Sequence, residues 1–382
     1  MPTRQTIKQI LVDNRNLWDN AQKSHVVREN FQKMLDCRTF ALGAEVYASN
    51  NGERKYFPHT CKSRTCSSCG QRSTLAWQRE VAAMLPNIPF AGVGFTMPNV
   101  FWPIFQQNRH LLDDLPAIGA GVLQDWAEKK YGARIIILVV RHTFGSHLNF
   151  NAHLHILVST VGLHKAGRRL VEGIRFPRDA VMRKWRHTLL DYLTMAVNVG
   201  QLAAHLPQPE LTKLFEEHRD RWWSAKVDYF KSKDAFFRYI SRYLRRPPLA
   251  EYRLLSSDNN QEVRFLTKDK KLGGKVTTTT CTAHEFIARL ADQVPDRYRH
   301  GIRYFGLLAP QSIGKSYEVF LALLGQRRPP RPKHLRWAAS IQKTFGQDPL
   351  LDRDGQRMYW VGRVSPTTAA PNSGPIHPPA RT

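Results

Sequence analysis

The runs Arg134-Ile135-Ile136-Ile137-Leu138-Val139-Val140-Arg141 and Ala152-His153-Leu154-His155-Ile156-Leu157-Val158-Ser159 decide the fold. Both are short and largely apolar, and the polar connection between them holds Gly145, Ser146 and Asn149. That pattern predicts two antiparallel strands of a hairpin. Upstream, Phe90-Ala91-Gly92-Val93-Gly94-Phe95 alternates like a strand and is stopped by Thr96-Met97-Pro98. Between these strands, Gly119 to Tyr131 sets Val122, Leu123, Trp126 and Ala127 on one helical face. Pro177 to about His205 reads as a long amphipathic helix with Trp185, Leu189, Leu190, Leu193 and Val197 on its apolar stripe. A further helix runs from an N-cap at Ser232 to Arg246, where Pro247-Pro248 ends it. Beyond it, Glu262–Leu266 and Lys275–Thr280 flank a Lys-rich turn as short strands, and Thr282 caps a helix through Glu285, Phe286, Ile287 and Leu290. The expectation is an α+β protein built on an antiparallel sheet with packed helices.

Composition sets the partner class. The 382 residues include 57 Lys plus Arg against 31 Asp plus Glu, a formal charge of +26, which calls for a polyanion. With 42% hydrophobic and 10% aromatic residues the chain is too apolar for a disordered basic arm, so most of it should fold. No run approaches ~18 uncharged apolar residues, and Met1 to Asn20 lacks the apolar stretch of a signal segment, which predicts a cytoplasmic protein. No G-x-x-x-x-G-K-[ST] run is present, so strand separation must come from elsewhere.

Four of the five cysteines fall in the first eighty residues. His59-Thr60-Cys61 and Cys66-Ser67-Ser68-Cys69-Gly70 form a knuckle in which a C-x-x-C pair bites one ion from a tight turn. His59 and Cys61 are close enough upstream to complete a Zn²⁺ set, and Cys37 is the spare candidate.

His153 and His155 project from the same face of their strand and can share an ion. They lie at its polar end, and His142, just after the preceding strand, faces the same end if the hairpin pairs in register. His142 also reads as a solvent-facing residue at a strand end. Tyr239 and Tyr243, four apart on the helix, present two phenols one turn apart, flanked by Arg238, Arg242, Arg245 and Arg246. Such a pair more often edges a core, but a cationic setting favours the phenolate and the phosphate it would attack. Trp222, Trp223 and Tyr229, interleaved with Arg219, Arg221 and Lys226, offer base-stacking platforms, with at least one tryptophan better suited to the core.

Taken in order, these motifs resemble the HUH-endonuclease transposases of rolling-circle insertion sequences, the class with two tyrosines and an N-terminal zinc-binding domain. The likeness runs from Cys37-Arg38-Thr39 through Cys61 to Cys69, Phe95-Thr96-Met97-Pro98, His142-Thr143-Phe144-Gly145, Leu148 to His155 and Tyr239 to Tyr243. It continues through Glu285-Phe286-Ile287 and Ile302-Arg303-Tyr304 to Gly306-Leu307-Leu308-Ala309. The resemblance implies a Mg²⁺ or Mn²⁺ ion bound by His153 and His155, nucleophilic attack by Tyr239 and Tyr243, single-stranded transposon ends as substrate, and a 5′-phosphotyrosine intermediate. Target DNA, a second copy in a homodimer, and host helicase or replication proteins are its expected partners.

This chain departs from the family at three places. Ser49-Asn50-Asn51-Gly52 and the stretch around Asp352-Arg353-Asp354-Gly355 stand where C-x-x-C pairs are usual, so zinc relies on His59, Cys61 or Cys37 beside Cys66 and Cys69. Asn151 stands where a further histidine is common, which shifts weight to His142. The expected division is a zinc- and DNA-binding region at 1–80, a catalytic region at 87–247, the rest of the core at 248–326, and a basic Pro-rich extension at 327–382, disordered toward its end. Two other functions share these features: a non-catalytic zinc-containing DNA-binding protein, and a rolling-circle replication initiator, which would lack the leading knuckle.

Overall fold

The computed structural model describes residues 5–203, 206–240, 247–255, 261–269, 273–330 and 332–366. Arg242, Tyr243, Arg245 and Arg246 lie outside them, as do the side chains of Arg238 and Tyr239 and the end of the Pro-rich tail. In chain order the strands are β1 (Ala44–Ala48), β2 (Arg54–Pro58), β3 (Phe90–Phe95), β4 (Ala133–Phe144), β5 (Phe150–His164), β6 (Leu170–Val171), β7 (Ala225–Phe230), β8 (Glu262–Asp269), β9 (Lys275–Thr282), β10 (Ile302–Gly306) and β11 (Tyr359–Val364). The helices are α1 (Ile7–Asp13), α2 (His25–Asp36), α3 (Ser67–Met84), α4 (Trp102–Gln107), α5 (Leu115–Tyr131), α6 (Arg178–Asn198), α7 (Gln208–Glu217), α8 (Lys233–Ile240), α9 (Ala283–Ala291), α10 (Ser316–Leu323) and α11 (Trp337–Phe345). Among the described residues no helix is long and apolar enough to cross a membrane.

The chain forms two compact units, one from residues 1–77, 245–295 and 333–382, the other from 78–244 and 296–332. This differs from the division expected at 80, 87–247, 248–326 and 327–382. Strand pairing is the reason. β11, in the stretch expected to be an extension, is a partner of β1, with Ala44 opposite Val364 and Ala48 opposite Tyr359.

In the first unit the sheet has the order β11-β1-β2, and β8 and β9 make a separate hairpin. Thr6 and Ser24 accept backbone N–H groups at the starts of α1 and α2. Trp18 packs edge-on to Phe31 at 5.6 Å, and its indole donates to the Leu11 carbonyl at 2.8 Å. Thr282 caps α9 as expected, in a reciprocal box with Glu285. Phe286 of α9 then meets Phe265 of β8 at 6.1 Å.

In the second unit the antiparallel order is β10-β4-β5-β3-β7, with β6 on β5. The hairpin of β4 and β5 is at its centre and is longer than the two apolar runs that announced it. Strand alternation gives the sheet two different faces. Ile137 and Val139 of β4, Leu154, Ile156 and Val158 of β5, and Ala91, Val93 and Phe95 of β3 point into one core with buried residues of α5 and α6. Trp185 of α6 stacks flat on Phe95, ring centroids 5.0 Å apart. The opposite face carries His142, His153 and His155. α8 covers part of that face, because Phe236 packs on Phe90 of β3 at 6.0 Å and on Phe230 of β7 at 5.5 Å, and both belong to the histidine-bearing register rows.

Candidate functional site

Four sulfurs converge at the knuckle. Cys37 follows α2, Cys61 lies in the loop after β2, Cys66 precedes α3 and Cys69 sits in its first turn; their Sγ atoms all lie within 4.8 Å of one another. A tetrahedral Zn²⁺ with bonds near 2.3 Å puts its sulfurs about 3.8 Å apart. Cys69 lies 3.6 Å from Cys37 and 3.7 Å from Cys61, so the cradle has the size of one zinc ion. The thiols divide their protons unevenly. Hydrogen bonds from Cys61 and then Cys66 hold Cys37 down to about 7. Cys69 is likewise held low, chiefly by Cys37, while contact with Cys37 pushes Cys61 and Cys66 up. A cation that replaces those protons lets all four ionise. Gly70 is required by close approach, since a Cβ there would collide with the Pro247 ring.

His59 is not part of this cluster. Its Nδ1 meets the Leu42 carbonyl at 2.9 Å and its Nε2 meets Glu45 Oε1 at 3.1 Å, so both ring nitrogens are committed to oxygens. Glu45 also accepts from Trp360 and Arg363 of β11, each at 2.8 Å. The Trp360 indole first, then Arg363 and His59, hold its carboxyl below the ordinary range. The fourth corner of the metal cradle is taken by Cys37.

The second cluster lies on the sheet. His142 of β4 pairs directly with His153 of β5, and Val140 with His155, so the three imidazoles share one face. Ring centroids are 5.4 Å apart for His142 and His153, 4.9 Å for His142 and His155, and 5.0 Å for His153 and His155. One nitrogen from each lies within 4.8 Å of the others. His153 Nδ1 donates to the Asn151 carbonyl at 2.7 Å. A carbonyl only accepts, so in the neutral ring the hydrogen sits on Nδ1 and the lone pair on Nε2. Asn151, standing where a histidine is common, thus acts through its backbone on the tautomer of its neighbour.

The remaining residues separate cleanly. Tyr239 is on α8, on the histidine-bearing side of the sheet, while Tyr243, Arg242, Arg245 and Arg246 are outside the described residues. Trp223 is core, 1% exposed and 5.4 Å from Phe101. Trp222 is 58% exposed, with the Arg178 guanidinium 5.3 Å over its ring. Two features escaped the sequence reading: the acidic anchor of His59, and the row that joins His155 through Gly94 to Lys226. Only the alternating glycines of Phe90–Phe95 hinted at the second.

Comparison with known proteins agrees with this anatomy. Residues 137–316 match the family described as "Putative transposase", and residues 10–97 match the "Transposase zinc-binding domain", which contains all four clustered cysteines. The chain is 31% identical to the transposase for insertion sequence element IS801 of Pseudomonas savastanoi pv. phaseolicola over 354 residues, 89% of this chain and 84% of the relative. It is 28% identical over 310 residues, 77% of each chain, to "Putative transposase y4qJ" of Sinorhizobium fredii. No solved structure matches it. With that identity across most of both chains and a four-thiol cradle inside the matched zinc-binding domain, the chain belongs to the insertion-sequence transposases of the IS91/IS801 type.

Proposed function

We propose that this transposase nicks and rejoins single-stranded DNA at transposon ends through a 5′-phosphotyrosine intermediate, as in rolling-circle transposition by HUH endonucleases. The observation that carries the reading is the shared face: α8, which bears Tyr239, packs on the side of the sheet that carries His142, His153 and His155.

The donor set fits a divalent ion. Three neutral imidazoles suit a transition-series ion better than hard, oxygen-seeking Mg²⁺, so Mn²⁺ is the better match of the two expected. When bound, such an ion polarises a phosphodiester oxygen. His142, His153 and His155 would hold it, and the Asn151 carbonyl keeps His153 in the ligating tautomer. The phenol oxygen of Tyr239 or Tyr243 forms the new bond to phosphorus as the 3′-oxygen departs. The phenol's proton is exchanged for one on the released 3′-hydroxyl. Because the ester conserves the energy of the cleaved strand, a later 3′-hydroxyl can reverse the step and join a different end, and two tyrosines can hold two strands in turn. The duplex is opened by other proteins, with a host helicase as the expected supplier of single strands.

The test is a denaturing gel after incubation with single-stranded DNA and Mn²⁺. A strand transferase leaves a protein–DNA adduct that survives detergent, and Tyr239→Phe with Tyr243→Phe removes it. A zinc-containing DNA-binding protein leaves none.

A further inference from the structure

β3 presents very different sides to the two faces of its sheet. Ala91, Val93 and Phe95 enter the core, whereas Gly92 and Gly94 occupy the histidine-bearing face beyond Phe90. Glycine weakens a strand and marks places where something approaches the backbone closely. Gly94 pairs with His155 on one side and with Lys226 of β7 on the other, so all three belong to one row of the sheet. Among the described residues, a Cβ added at Gly94 would meet only the Lys226 Cβ, at 3.7 Å, so none of them fills the space directly above this glycine. Two strand spacings put the backbones of His155 and Lys226 about 10 Å apart, with a gap one strand wide between their side chains. Lys226 is 63% exposed, and its ammonium lies 2.7 Å from Asp228 Oδ2, two residues along the same face. An ammonium has three N–H donors, so contact with Asp228 is compatible with contact to a phosphate oxygen.

We infer that this glycine-floored gap is a phosphodiester subsite, in which Lys226, steadied by Asp228, grips the backbone phosphate that faces the histidine cluster. The inference rests on the strand-transfer reading for its substrate class, single-stranded DNA, but not for its binding behaviour. A lysine on an edge strand can also serve only to block strand addition. The two roles differ in what happens to DNA affinity.

The experiment uses the full zinc-loaded chain with Tyr239→Phe and Tyr243→Phe, so that binding is read without reaction. Affinity for a mixed-sequence single-stranded oligonucleotide in Mn²⁺ is followed by fluorescence anisotropy across a salt series. Lys226→Met should lower the log-log salt slope by about 0.7, the share of one phosphate on a single strand, and Lys226→Arg should preserve it. Gly94→Val, which fills the gap, should weaken binding, while Gly94→Ala should not. Mn²⁺ affinity, measured by titration calorimetry, should stay the same in all four. With both tyrosines restored, Lys226→Met should slow adduct formation at least tenfold. An unchanged slope in Lys226→Met together with unchanged binding in Gly94→Val overturns the subsite, even if the adduct forms normally. A reduced slope in a protein whose tyrosines never form an adduct would retain the subsite and sink the strand-transfer reading.

Discussion

His142 and His153 face each other directly across the ladder of β4 and β5, with ring centroids 5.4 Å apart, although ten residues of turn and strand separate them along the chain. A residue that reads as ambiguous in one dimension becomes the third member of a cluster once the hairpin closes. Replacing any of the three histidines by Ala should lower Mn²⁺ affinity by at least about tenfold to a hundredfold. Adduct formation should fall with it, and single-stranded DNA binding should survive. Calorimetry and anisotropy on the same preparations check this. Loss of DNA binding in all three variants would assign the histidines a folding role instead.

The knuckle supports a sharper test. Elemental analysis of the purified chain should find zinc, retained in His59→Ala and lost in Cys37→Ser or Cys69→Ser. Zinc loss should also lower the melting temperature of the first unit, because a structural site contributes folding free energy directly, about 10–16 kcal/mol in small zinc peptides. Zinc that survives Cys37→Ser but not His59→Ala would reverse the ligand assignment.

The adjacent tryptophans should behave oppositely. Trp223→Ala empties a buried site and should cost about 3–5 kcal/mol in chemical denaturation. Trp222→Ala should leave the denaturation midpoint nearly unchanged. If the exposed ring stacks on a base, it should weaken single-strand binding by about 1–3 kcal/mol. Equal effects of the two changes on stability would contradict their placement.

Glu45 ties β11 to β1 in a pH-dependent way. Its folded carboxyl is held below the ordinary range, so its stabilising contribution is complete above the unfolded carboxylate pKa of about 4.3 and is lost as pH falls through the folded value. Amide protection factors in Tyr359–Val364, taken against the intrinsic exchange rate at each pH, should therefore fall on acidification in the wild type more than in Glu45→Gln. A variant with the same acid response as the wild type would refute this.

Local rules exposed the second unit's centre and missed the first unit's sheet. The β4 and β5 runs, the stop at Thr96-Met97-Pro98 and the capping box at Thr282 each depend on neighbours in sequence, and each is present in the fold. β11 is different. Tyr359, Trp360 and Val361 are all more than half exposed, so the strand opens without the alternation that marks a buried face. Its identity comes from β1, and Trp360 lies 315 positions along the chain from the Glu45 carboxylate it meets. The commitment of His59 was hidden for the same reason, since Glu45 is fixed in place by β11. Cys37 was only a spare candidate because its distance from the knuckle is bridged by β1 and β2, a hairpin with little sequence signal.

The β1 and β11 pairing also constrains how the protein is made. At a ribosomal rate of about 5–20 residues per second, β1 leaves the exit tunnel on the order of 15–60 s before its partner exists. During that interval the open edge of β1 is a template for pairing with any other nascent strand. A message cut short before the codon for Tyr359 would leave that edge bare permanently. Its product should aggregate or be degraded, so that a finished first unit requires translation to run through β11.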